Sequence, residues 1–123
     1  MTLPHISVIC RARSDLARCV AFVARHPWGK PVERKLEIYR AFERIREFPE
    51  LRRVEARRRD GAVELRRYGI AQFIIIYTYF RPSGRFADGL VSIRAIRHRR
   101  ERKLFEGVRE PDPPPYLGGF SAT

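Results

Sequence analysis

Residues 61–100 read GAVELRRYGIAQFIIIYTYFRPSGRFADGLVSIRAIRHRR, and their pattern decides the fold class. Apolar and polar residues alternate up to Leu65-Arg66-Arg67-Tyr68. An Ile/Tyr-rich run follows from Gln72 to Phe80, and a further run extends from Leu90 to Arg97. Alternation with a period of two marks a half-buried strand, whereas Phe73 to Phe80 is apolar on both alternations, as expected of a central strand. Pro82-Ser83-Gly84 opens a hairpin loop and Asp88-Gly89 precedes the last strand. Just upstream, Val54 to Arg59 and Ala62 to Tyr68 flank Asp60-Gly61, a strong local signal for a two-residue β-hairpin.

The N-terminal half has a different period. Ile6 to Cys10 is a short apolar strand. Ser14 then reads as a helix N-cap with Asp15 in the first turn, and Leu16, Val20 and Val23 recur at helical spacing. His26-Pro27-Trp28-Gly29 ends that helix, because the residue before a proline disfavours helix and glycine loosens the backbone. Pro31 suits the first turn of a second helix. There Val32, Leu36, Tyr39, Phe42 and Ile45 form one apolar stripe, with Glu33, Glu37, Glu43 and Glu47 on the solvated side, and Pro49 ends the helix. An amphipathic helical hairpin of this kind needs a sheet to lie on, so the class is α+β: an N-terminal strand and a two-helix hairpin packed on a twisted antiparallel sheet of about four strands.

With 123 residues, the chain suffices for one domain with one modest core. The domain is expected over residues 1–110. Arg99 to Glu106 reads as a short basic helix ended by Gly107, and the Pro/Gly-rich residues 111–123 read as a tail, extended or disordered. The run from Phe73 to Phe80 is far below the roughly 20 apolar residues that a spanning helix needs. Residues 1–10 lack a basic start followed by an apolar stretch, so a cytoplasmic protein with no membrane partner is expected. Cys10 and Cys19 are too far apart for a redox pair and too few for a four-thiolate zinc site, so both are expected to be buried, reduced thiols.

Charge points to the partner. The chain carries 26 basic and 14 acidic side chains, formally +12, and only Lys30, Lys35 and Lys103 among the cations are lysines. Such a surplus favours an anionic partner, since each cation set near a phosphate releases condensed counterions. RNA, DNA, a ribosomal particle and an acidic protein segment all qualify.

Paired arginines, a small turn, an Ile/Tyr-rich strand, a hairpin and then Ile93-Arg94-Ala95-Ile96-Arg97-His98-Arg99-Arg100 together resemble the toxins of bacterial type II toxin–antitoxin modules, the RelE/ParE superfamily. The resemblance covers roughly residues 5–107. It implies a RelE/ParE-like fold and a cognate small antitoxin as partner, with DNA gyrase or the ribosome and its mRNA as target. The long helical hairpin, its exit Phe48-Pro49-Glu50-Leu51-Arg52-Arg53, and the spacing from Leu65-Arg66-Arg67 to Tyr77 look closer to ParE. The chain also lacks the lysine-rich strand of the RelE nucleases. The resemblance thus implies growth arrest by poisoning gyrase; the alternatives are a ribosome-associated mRNA endonuclease like RelE and a plain basic RNA-binding domain. An antitoxin of this kind wraps the toxin with an acidic segment, and the groove beside the helical hairpin and the last strand is its expected dock.

Strand alternation sorts the candidate residues. Val63 and Leu65 are expected to face the helices, leaving Glu64, Arg66 and Tyr68 on the opposite face. Val91, Ile93 and Ala95 are likewise expected to face the helices, which puts Arg94 beside Arg66 on an open basic face. Arg66, Arg67, Arg94, Arg97, Arg99 and Arg100 are the candidate target- or phosphate-binding residues. If the protein is a nuclease, the catalytic set is His98, Arg66 and Arg94, with no metal and no cofactor. Arginine stabilises a crowded phosphorane but cannot act as base, so His98, Glu64, Tyr77 or Tyr79 would have to move the proton. His98 has a second reading, in which the imidazole caps the strand end through backbone hydrogen bonds. The absence of a glycine-rich phosphate loop, a nucleophile elbow or a zinc motif argues against nucleotide-driven or metal-dependent chemistry.

Overall fold

The computed structural model describes residues 2–59, 61–70, 72–99 and 121–122. Strand β1 (His5–Val8) leads into helices α1 (Cys10–Ala24) and α2 (Pro31–Glu47), followed by β2 (Val54–Arg57), β3 (Val63–Gly69), β4 (Phe73–Phe80), β5 (Leu90–His98) and β6 (Ser121–Ala122). The sheet order is β1-β5-β4-β3-β2-β6. The expected α+β class holds, and Phe73–Phe80 is central. Strands β2 to β5 are antiparallel neighbours, and β1 joins the sheet parallel to β5, so the sheet is mixed. Both helices contribute to one core with a single sheet face, built around Phe22, Val23, Ile38, Ile45, Tyr77 and Ile93. The expected helix at 99–106 and most of the tail lie outside the described residues, whereas Ser121 and Ala122 pair with Arg57 and Ala56 of β2.

Helix α1 starts at Cys10, one turn before the expected cap at Ser14, and Ile9 is its N-cap without a side-chain bond. Asp15 is therefore inside the helix, and its carboxylate serves the sheet. Asp15 Oδ2 accepts the Ile96 amide at 3.0 Å, Oδ1 accepts Arg18 Nη1 at 2.8 Å, and Arg18 Nη2 donates to the Ile96 carbonyl at 3.2 Å. An Asp–Arg pair thus satisfies both backbone groups of one β5 residue, which a residue in the ladder could not otherwise achieve toward a helix. The early start also corrects the reading of Cys10, which is exposed; Cys19 is buried as expected. The helix ends as expected at the His26–Gly29 break, where a Cβ on Gly29 would sit 1.8 Å from the Val23 carbonyl oxygen.

Helix α2 has Pro31 in its first turn, as expected, but its buried stripe differs from the expected one. Ile38, Ala41, Phe42 and Ile45 are buried, while Val32, Leu36 and Tyr39 lie in solvent. Both sets recur at i, i+3 and i+4 and share Phe42 and Ile45, so spacing alone could not choose between them. In the β2–β3 hairpin the Arg58 amide donates to the Val63 carbonyl and the Gly61 amide to the Arg58 carbonyl, both at 2.9 Å; Asp60 of the expected Asp60-Gly61 turn lies outside the described residues. Gly61 supplies the positive φ of 72° that this loop requires.

The choice of stripe is directly testable. Ile38, 0% exposed, should lose about 2–4 kcal/mol on substitution by alanine. Leu36, 46% exposed, should lose less than about 0.5 kcal/mol. Urea denaturation of the two variants measures both, and the reverse ranking would mean that α2 is rotated.

Candidate functional site

Pairing across the sheet assigns each side chain to a face, because directly opposed residues share one. Glu64, Arg66 and Tyr68 of β3 oppose Tyr79, Tyr77 and Ile75 of β4, which belong to the core beneath the helices. The expected assignment for β3 is therefore inverted: Val63 and Leu65 oppose Phe80 and Thr78 on the reverse face. On β5 the register shifts between Ile76↔Ala95 and Tyr77↔Ile93, leaving Arg94 as the extra residue of a β-bulge. Before the bulge Val91 and Ile93 face the helices, as expected. After it Ile96 and His98 do so, and Ala95 and Arg97 turn to the reverse face.

Arg66 and Arg94 consequently lie on opposite sides of the sheet, and the expected shared basic face does not exist. Arg94 stays on the reverse side, where its Nε donates to Thr78 Oγ1 at 2.7 Å. Arg67 and Arg97 join it there, opposing Ile76 and Ile74 of the intervening strand. This group lies at the His98 end of β5, with Arg67 and Arg97 exposed and Arg94 partly so, whereas the row Leu65–Thr78–Ser92 beside it is buried. Arg99 is exposed, with Nε donating to the Ile70 carbonyl at 3.1 Å. Arg100 lies outside the described residues.

Arg66 is a structural clamp. Only 5% exposed, it donates through Nη2 to Glu64 Oε1 at 3.0 Å, and through Nη1 to the carbonyls of Glu50, at 2.8 Å, and Arg52. Glu64 is also approached by Arg81 at 3.2 Å and Arg57 at 3.5 Å. Tyr77 adds a second tie to the same loop, its hydroxyl donating to the Pro49 carbonyl at 2.8 Å. Burial by itself would raise the Glu64 carboxyl, but the hydrogen bonds and charges of Arg66 and Arg81 outweigh it and hold the group below its ordinary value of 4.5. Burial pushes the hydroxyls of Tyr77 and Tyr79 above the usual phenol range.

His98 is 1% exposed and packs among rings, with centroids 4.8 Å from Phe22, 5.1 Å from Phe73 and 5.8 Å from Trp28. His26, part of the helix-ending break, joins this nest 4.5 Å from Phe22 and 4.6 Å from Trp28. The expected set of His98, Arg66 and Arg94 is thus not brought together. Two members are buried at different points on the helix side and the third is across the sheet. Among the described residues, no group of three His, Cys, Asp or Glu side chains could hold a metal ion, and no helix is long and apolar enough to cross a membrane.

A strand, a helical hairpin and an antiparallel meander, with the helices confined to one sheet face, define a small α+β protein of the RelE/ParE toxin class. Residues 10–103 match the family described as the ParE toxin of the type II toxin-antitoxin system, parDE, and the chain belongs to that family. Membership implies an antitoxin partner. Comparison with curated proteins finds no match.

The Glu64 cluster makes stability depend on pH with a defined sign. The folded carboxyl ionises at lower pH than the unfolded one, so its contribution is present above 4.5 and is lost as pH falls through the folded value. Glu64→Gln should cost about 2 kcal/mol at pH 7 and show a smaller loss on acidification than the parent. Urea titrations between neutral pH and about pH 3 would measure this, and parallel pH profiles for the two proteins would refute it.

Proposed function

We propose that this toxin is a non-catalytic binder that arrests growth by engaging DNA gyrase and stalling it on cleaved DNA, in the manner of the ParE toxins. The supporting observation is the separation of the candidate groups by the sheet. Cleavage of RNA by its own 2′-hydroxyl needs a base, a phosphate-stabilising cation and an acid at one phosphate. The reverse-face cations are Arg67, Arg94 and Arg97, whereas Glu64, Tyr77, Tyr79 and His98 all face the helices. Glu64 is bound by arginines and Tyr77 by a backbone carbonyl. A plain RNA-binding domain is supported less, because Tyr68, Tyr77 and Tyr79 turn into the core and cannot stack on bases.

Arg67, Arg94 and Arg97 are the residues assigned to target binding. Their guanidinium groups suit an acidic protein surface or the phosphates of enzyme-bound DNA. Induction of the wild-type chain should give DNA double-strand breaks without mRNA cleavage on ribosomes, and the purified toxin should block gyrase supercoiling. The triple variant Arg67→Ala/Arg94→Ala/Arg97→Ala should fold and lose inhibition by at least about tenfold. Cleaved mRNA together with unaffected supercoiling would overturn the proposal in favour of the ribosome-associated nuclease.

A further inference from the structure

A cleft of about 710 Å³ opens on the helix side, between the α2 exit, the N-terminal segment and the β4–β5 loop. Leu3, Phe48, Leu51, Pro82 and Ala87 contribute apolar walls, and Tyr79 also lines it. Phe48 and Leu51 are 50% and 67% exposed, an unusual cost for large apolar side chains beside a preformed hollow. The walls are held in place: Tyr77 and Arg66 bind the carbonyls of Pro49, Glu50 and Arg52, and Arg46 Nε donates to the Pro4 carbonyl at 2.9 Å. A cleft held in this way needs little ordering when it is filled.

The charge at its rim is opposite to that of the chain. Glu47, Glu50 and Asp88 all line the cleft. Every other described carboxylate has a cation within 3.9 Å, and so does Glu50, through Arg81 at 3.7 Å. Glu47 and Asp88 are the described carboxylates without an ion pair, in a chain of net charge +12. Nearby cations are engaged elsewhere, Arg46 with the Pro4 carbonyl and Glu43, Arg81 with Glu50 and Glu64. Two free carboxylates beside an apolar hollow are complementary to an apolar side chain next to a cation.

We propose that this cleft seats a large apolar side chain flanked by a lysine or arginine, presented by the antitoxin. The inference rests on the toxin–antitoxin membership and goes beyond it. An acidic wrapping segment is attracted to most of the surface without preference for register. At this one point an acidic residue is repelled and a cation accepted, so the cleft fixes where the segment docks and rejects segments lacking that pair.

The test is calorimetric titration of the toxin with its cognate antitoxin. The variant Glu47→Gln/Asp88→Asn should bind at least about tenfold more weakly, with an unchanged thermal midpoint because neither carboxylate has an ion-pair partner to lose. Leu51→Ser should weaken binding to a similar degree. General attraction between a basic toxin and an acidic partner predicts the opposite sign, tighter binding once the acids are neutralised. Unchanged or tighter binding by the double variant would overturn the inference while leaving the family assignment intact. A wild-type toxin that failed to bind the antitoxin would overturn the partnership itself, and the inference with it.

Discussion

The bulge at Arg94 governs the rest of the molecule. One extra residue in β5 reverses the facing of everything after it, because side chains in a strand alternate and a shift of one exchanges the two faces. Ile96 thereby comes to lie under α1, where Asp15 and Arg18 bind its amide and carbonyl. His98 comes to lie among Phe22, Trp28 and Phe73 instead of beside Arg94. Arg97 is moved to the reverse face in exchange. The bulge therefore both anchors the helical hairpin and sets His98 among aromatic rings, on the opposite face from Arg94 and Arg97.

A second constraint is electrostatic. Glu64 and Arg66 are nearly buried, which is tolerable because the two charges pair with each other and Arg66 Nη1 donates to backbone carbonyls. The consequence reaches the surface. The loop bound by Arg66 and Tyr77 is one wall of the apolar cleft, so a charged cluster inside the sheet shapes a surface hollow outside it. The same cluster withdraws Arg66, Arg81 and Glu64 from contact with any target on the reverse face.

The two faces of the sheet differ in charge and polarity. The reverse face presents Arg67, Arg94 and Arg97, suited to an anionic target, and the helix side presents an apolar cleft with two free carboxylates. On the proposed assignments, an antitoxin seated on the helix side and a target held on the reverse side would be addressed by opposite charges. Confusion between the two ligands would thereby be reduced without any moving part.

Much of the fold was legible in the chain itself. The apolar run Phe73–Phe80 identified the central strand, Pro31 and the His26–Gly29 break delimited the helices, and Arg-rich motifs in order pointed to the toxin superfamily. These are local signals, set by the backbone preferences of a few adjacent residues. Facing was not legible. Whether Ile38 or Leu36 looks inward, whether Arg66 or Leu65 lies under the helices, and whether His98 meets Arg94 all depend on partners distant in sequence. Alternation is defined only up to a shift of one residue, and the bulge that makes that shift is stabilised by contacts no local pattern encodes. Tertiary structure alone decided it, because only the packed sheet weighs the burial of a paired charge against that of a neighbouring methyl group.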